Sequence, residues 1–217
     1  MAAVADDGEQ IEGHGGDLAV AAARAHGVRA MFTLSGAHVF PLYDGAVKAD
    51  PPMPLVDVRH EATAVFAAEA TAKLTRRPGL AVLTAGPGVT NGISAVTSAW
   101  FNGVPVVVLG GRAPAFRWGS GALQELDHPP LLAPVTKHAA TVRSVDQVTE
   151  RVGEAFGLAS MAHRGPVFLD VPMDVLFSRA TTAAPTPATS CSVQARFVTG
   201  ASRGTWSISW RAPLPQR

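Results

Sequence analysis

The sequence predicts an α/β fold, three layers α/β/α deep, around a mostly parallel six-stranded sheet. Three observations carry this. Six short apolar runs alternate with helical stretches. The runs are continuously apolar instead of alternating, which marks strands covered on both faces. The turns that follow them carry glycine, proline or ionisable residues, as connections in such folds do. The composition agrees. At 217 residues, 47% hydrophobic and 16% charged, the chain suits one domain with an appendage and excludes a disordered or supercharged protein.

Taken in order, residues 16–26 (GDLAVAAARAH) predict a helix with Asp17 as N-cap and Gly27 as its stop. Residues 28–34 (VRAMFTL) and 54–58 (PLVDV) predict the first two strands. Residues 61–74 are rich in Ala, Glu and Lys, strong helix formers, and Arg76-Arg77-Pro78-Gly79 stops them. A strand at 80–84, a helix at 90–101 and a strand at 105–109 follow. Residues 138–142 predict a further strand, and 146–162 a helix with Val148, Val152, Ala155, Phe156 and Ala159 at helical spacing. Residues 166–171 (PVFLDV) close the sheet.

Charge divides the chain unevenly. Residues 1–174 hold all 17 acids and 13 Lys or Arg, whereas residues 175–217 hold five Arg and no acid. The sequence therefore predicts a flexible N-terminus over 1–14, one domain over 15–178 and a basic tail over 179–217. The tail is rich in Ala, Thr, Ser, Pro and Arg and lacks Lys. Two origins fit it: a natural disordered segment, or the out-of-frame reading of a GC-rich gene. Cys191 is the sole cysteine, so no disulfide framework exists. The acidic Met1–Gly13 segment is unlike a secretory leader, and no run reaches the ~20 apolar residues of a membrane span. A cytoplasmic protein is expected, with no membrane partner. The near-neutral total gives no reason to expect nucleic-acid binding.

In parallel sheets ligands bind outside the carboxyl ends of the strands. Glu61 follows one strand end. It is either an acid placed by the helix dipole or a carboxyl partly desolvated by Ala62, Val65 and Phe66 and able to share a proton. Position alone leaves both open. Gly86-Pro87-Gly88-Val89-Thr90-Asn91-Gly92 is either a tight turn capped by Thr90 or a backbone that a flat ligand approaches closely. It lacks the Lys-Ser/Thr of a P-loop and the dinucleotide-binding spacing. Gln124-Glu125-Leu126-Asp127 reads alone as a solvated loop. The histidines are scattered without metal-ligand spacing, so no metal site is expected within the chain.

Six segments in order, TLSGAHVFPLYDG, VDVRHEATAVFAAEA, LTAGPGVTNGISAV, VVVLGG, GALQELD and PVTKHAATV, resemble the N-terminal, pyrimidine-binding (PYR) domain of thiamine-diphosphate enzymes of the acetolactate synthase group. The resemblance runs from about Gly15 to Phe177 and borders on the 2-hydroxyacyl-CoA lyases. It implies that Glu61 is the carboxyl that hydrogen-bonds N1′ of the cofactor's aminopyrimidine and shares its proton, promoting loss of the thiazolium C2 proton. It implies that Thr84, Pro87, Gly88, Asn91 and Gln124 line the aminopyrimidine pocket and that Gly36 faces the thiazolium. Lys137 matches a lysine near the flavin or substrate entrance. Ser35, His38 and Leu123 depart from a usual proline, a small residue and a phenylalanine, so the substrate side differs while the cofactor side matches.

The resemblance further implies carbon–carbon bond chemistry on a 2-keto acid, with Mg²⁺ holding the diphosphate on a separate domain and FAD in many members. No Gly-Asp-Gly, the signature of the diphosphate domain, occurs in the chain. Half a site is therefore expected, completed by a homodimer partner or a complementary diphosphate-binding domain, and inactive alone. A non-catalytic interaction or decoy fragment is the rival from another class.

Overall fold

A computed structural model describes residues 9–185. The elements in chain order are β1 (Gln10–His14), α1 (Gly15–Ala25), β2 (Met31–Thr33), α2 (Phe40–Lys48), β3 (Leu55–Asp57), α3 (Glu61–Thr75), β4 (Gly79–Leu83) and α4 (Pro87–Phe101). There follow β5 (Val106–Arg112), α5 (Pro129–Leu132), β6 (Ala139–Thr141), α6 (Val148–Ser160), β7 (Val167–Pro172), α7 (Met173–Phe177) and β8 (Arg179–Ala183). Six strands form one parallel sheet in the order β3-β2-β4-β5-β7-β6. The predicted six-stranded, three-layer fold is the one observed.

The central strands are apolar at successive positions because successive side chains feed two cores. Leu80, Val82, Val107, Leu109, Val167, Leu169 and Val171 enter one core, with α1, α2, α6 and α7. Ala81, Leu83, Val106, Val108 and Phe168 enter the other, with α3, α4 and α5. Each fully buried large side chain contributes about 1.5–3 kcal/mol relative to exposure. Both cores are thus tied to the same few strands, and the strand ends are held at one height.

Asp17 does not cap α1: His14 is the N-cap, its Nδ1 accepts the Asp17 amide at 3.1 Å, and Asp17 lies in the first turn of the helix. Beyond this cap, the structure differs from the sequence expectation in four places. Helix α2 has Pro41 in its first turn and Gly45 in its interior, so propensity hides it. Tertiary contact explains it. A Cβ on Gly16 would lie 1.9 Å from the Pro41 carbonyl oxygen, and one on Gly45 would lie 2.7 Å from the Gly16 carbonyl oxygen. The two helices pack through their glycines. Helix α4 starts at Pro87, three residues earlier than predicted, with Gly86 as its N-cap. Thr90 is therefore no cap; its hydroxyl donates to the Pro87 carbonyl at 3.2 Å. Short helices α5 and α7 fall where loop was expected.

The fourth difference is at the ends. Residues 10–14, assigned to a flexible N-terminus, and 179–183, assigned to the tail, pair as antiparallel β1 and β8. Ile11 and Ala180 pack on the first core, and Thr182 hydrogen-bonds Thr149 of α6 at 2.9 Å. The domain extends through both predicted boundaries. The expectation for the rest of the tail lies outside the described residues. Among the described residues, no helix is long and apolar enough to cross a membrane.

Gly16→Ala tests the α1–α2 contact. Better helix propensity offers at most about 1 kcal/mol, whereas overpacking against a backbone carbonyl costs about 1–3 kcal/mol or more. Urea denaturation is expected to show a net loss of stability; a gain would refute the close-approach account.

Candidate functional site at the carboxyl edge of the sheet

The turns after β2, β3 and β4 meet the first turns of α3 and α4 and the 113–128 segment. Helix α3 is capped by His60, whose Nδ1 accepts the Ala62 amide at 3.2 Å. Glu61 is consequently the first helical residue, where the dipole favours its negative charge. It is 8% exposed. Asn91 on α4 donates its amide to Glu61 Oε2 at 3.0 Å, which leaves Oε1 facing the turn. Val65 is buried beneath this turn, but Phe66 is 46% exposed, so its ring is not part of the expected apolar surround.

Glycines shape the space beside Glu61. A Cβ on Gly88 would stand 2.6 Å from Thr84 Cγ2 and 3.7 Å from Glu61 Oε1. A Cβ on Gly36 would stand 2.3 Å from Thr84 Cβ. Gly86 has φ 59° and ψ −115°, a backbone that favours glycine. A side chain there would meet Gln124 Cβ and its carbonyl oxygen at 3.0 Å. Gly36, Thr84, Gly88, Glu61 and Asn91 thus form one continuous surface, with Gln124 folded over Gly86 and Pro87 exposed at the head of α4.

His38 is buried behind this surface. Its Nε2 lies 3.2 Å from the Leu123 carbonyl oxygen and its Nδ1 lies 3.3 Å from Thr84 Oγ1. A carbonyl only accepts, so Nε2 carries the proton and Nδ1 accepts from the threonine hydroxyl. Both nitrogens are engaged. Desolvation holds the ring below its usual value of 6.5; the Leu123 bond opposes this, and His128 reinforces it. The Leu123 side chain is 77% exposed, and only its carbonyl takes part.

Lys137 stands apart. It precedes β6, at the amino edge of the sheet, and its ammonium donates to the carbonyls of Leu158 and Met161 at the end of α6. Burial lowers its pKa. Within this chain it does not join the Glu61 group.

His128 and Asp170, which the sequence reading left aside, join the site together with the strand-end residue Arg112. His128 Nε2 accepts the Gly86 amide at 2.9 Å, its Nδ1 donates to Asp170 Oδ2 at 2.8 Å, and Arg112 donates to that same oxygen at 2.9 Å. The one available signal was an acid, Asp170, inside an otherwise apolar strand. Elsewhere His14, Asp17 and Asp44 bring ligand-type atoms within 4.8 Å of one another. That group is spent on structure: His14 Nδ1 accepts the Asp17 amide to cap α1, and Asp44 is shared with Lys48.

The family model for the thiamine pyrophosphate enzyme N-terminal TPP binding domain matches residues 13–131. The acetolactate synthase large subunit IlvG of Mycobacterium tuberculosis is 51% identical over 165 residues, which is 76% of this chain and 30% of that protein. The 2-hydroxyacyl-CoA lyase 2 of Mus musculus is 44% identical over 164 residues, 76% of this chain and 26% of that protein. The chain spans less than a third of the length of these relatives.

The His38 shift predicts a pH dependence. Its folded pKa lies below its unfolded one, so the unfolded chain binds more protons as pH falls through about 6.5. Stability therefore declines from pH 7 to pH 5, and half-buried His26, also lowered by desolvation, adds to the decline. Urea midpoints should fall over this range, and fall less in His38→Gln; equal slopes would refute the assignment.

Proposed function

The chain belongs to the family of thiamine pyrophosphate enzyme N-terminal TPP binding domains, and we propose that it forms the pyrimidine-binding side of an acetolactate-synthase-like active site. When bound, thiamine diphosphate supplies a nucleophilic carbon that adds to the carbonyl of a 2-keto acid. The residues present fit its aminopyrimidine. A sheltered carboxyl has one oxygen bonded to Asn91, and beside it glycines let the Thr84 side chain and the Gln124 backbone pack close to the turn.

In this reading Glu61 Oε1 would accept or share the proton at the ring nitrogen N1′. Asn91 fixes the carboxyl so that this oxygen stays on the ligand side. Gly36, Thr84 and Gly88 form the wall that the cofactor approaches, with Pro87 and Gln124 at its margins. His38, held by Thr84 and Leu123, shapes the substrate side without a free nitrogen of its own. Domain-level expectations extend the proposal. A diphosphate-binding domain with Mg²⁺, from a second copy or a complementary chain, would complete the site, and FAD, in members that carry it, would be held outside this chain.

A second reading, 2-hydroxyacyl-CoA lyase chemistry, is favoured by one observation. His38 and the exposed Leu123 depart from the synthase pattern on the substrate side, where the two reactions differ. Both readings use Glu61 alike.

The observation that carries the proposal is the Glu61–Asn91 pair with its open oxygen. Calorimetric titration with thiamine diphosphate and Mg²⁺ tests it. A hydrogen bond to a charged group is worth about 1.5–3 kcal/mol, so Glu61→Gln is expected to weaken binding at least about tenfold while leaving the far-ultraviolet spectrum unchanged. Equal affinities in the two proteins would reject the assignment.

A further inference from the structure

The Gly86–Gly88 turn owes its shape to one buried contact. Gly86 sits at positive φ and ends β4's extension into α4. Its amide points inward to His128 Nε2 at 2.9 Å. An amide only donates, so Nε2 must be the unprotonated nitrogen and Nδ1 must carry the hydrogen. That hydrogen goes to Asp170 Oδ2 at 2.8 Å. The imidazole is fully buried and edge-on to Phe168, with ring centroids 6.2 Å apart.

Asp170 is fixed in turn. It lies on β7 opposite Gly110 of β5, and Arg112 at the end of β5 donates to its Oδ2 at 2.9 Å. Arg112 also binds Asp127, the neighbour of His128, at 3.0 Å, and its guanidinium lies 3.7 Å from the centre of the Trp118 ring. The network thus runs from the two central strands into the 113–128 segment and on to the head of α4. That segment carries Gln124, which covers Gly86, and Leu123, which holds His38.

We propose that His128, oriented by Asp170 and Arg112, is a positioning residue that sets the Gly86–Gly88 backbone against which the cofactor's aminopyrimidine rests. The inference rests on the pyrimidine-site reading above. None of the three side chains needs to touch the ligand. Their effect passes through the Gly86 amide and through the covering segment, both of which lie beside the turn that carries Gly88 and faces Glu61.

Asn and Gln at position 128 separate this role from mere packing. An Asn amide nitrogen occupies the place of Nδ1 and keeps the bond to Asp170, but the side chain ends short of Gly86. Gln is longer and brings its amide oxygen to the Gly86 N–H. In the ligand-free chain, NMR hydrogen exchange of the Gly86 amide is expected to quicken about tenfold or more in His128→Asn, the loss of one hydrogen bond. It should stay within about threefold of the wild type in His128→Gln. The dissociation constant for thiamine diphosphate with Mg²⁺ should follow the same order. Unchanged Gly86 exchange in His128→Asn overturns the proposal, as does an affinity loss without faster exchange. A wild type that binds no thiamine diphosphate rejects the pyrimidine-site reading, while the exchange data still decide the positioning role. If His128→Asn does not fold, Asp127→Ala, at the exposed end of the network, takes its place: faster Gly86 exchange supports the proposal, and unchanged exchange overturns it.

Discussion

Burial of the central strands on both faces is the constraint on which the rest depends. Residues of β4, β5 and β7 have no solvent-facing side, because α1, α2, α6 and α7 cover one face and α3, α4 and α5 the other. Polar chemistry is therefore driven to the strand ends. A parallel sheet places all its carboxyl ends on one edge, so turns far apart in sequence converge there. Glu61, Thr84, Gly86 and Gly36 come from the turns after three different strands, yet they share one surface. A site built this way inherits the rigidity of both cores.

Two kinds of polar pair serve that edge, and they differ in what they can do. Glu61 and Asn91 leave one carboxylate oxygen uncommitted, so the pair retains capacity for a ligand. The His128–Asp170–Arg112 group surrounds Gly86, and its one oxygen without a partner among the described residues, Asp170 Oδ1, is buried away from any ligand. Breaking one member of such a buried group costs more than the net worth of its bond, because the remaining groups stay desolvated. The group is thus suited to hold backbone in one place and poorly suited to exchange protons with a substrate. His38 belongs to the same closed kind, since both nitrogens are bound.

The legible parts of the sequence are those with strong local signals. The runs at 80–84, 105–109 and 166–171 can be buried only on both faces, and α3 follows from its Ala, Glu and Lys content. Glu61 stands out as a lone acid at a strand end. Other features have no local signal. Helix α2 contradicts its own propensities at Pro41 and Gly45 and exists because glycine lets it approach α1. His128 and Asp170 are 42 residues apart, and only the sheet's connectivity joins them. Lys137 likewise takes its place from the sheet and not from its sequence neighbours. Its motif is contiguous with β6, but it stands at the amino end of that strand, across the sheet from Glu61.

The chain's ends show how a compositional boundary and a structural one can part. The change in charge near residue 178 suggests that the domain stops there. Yet β8 begins at Arg179, pairs with β1 residue by residue, and sets Arg179 3.4 Å from Glu12. Neither strand is apolar enough to announce itself, and each supplies the backbone partners the other needs. The first basic residue after the charge step answers an acid of the N-terminal strand. An exposed pair of this kind adds little energy, so the pairing rests on the backbone ladder and on Ile11 and Ala180 against the core. Because α1 starts at Gly15 directly after β1, and Gly15 donates to the Ser178 carbonyl at 3.0 Å, the ladder also fixes where α1 enters. Helix α1 in turn seats α2, and the turn leading into α2 carries Gly36 and His38. The short terminal ladder is thus linked through packed backbone to the thiazolium-facing side of the proposed cofactor site.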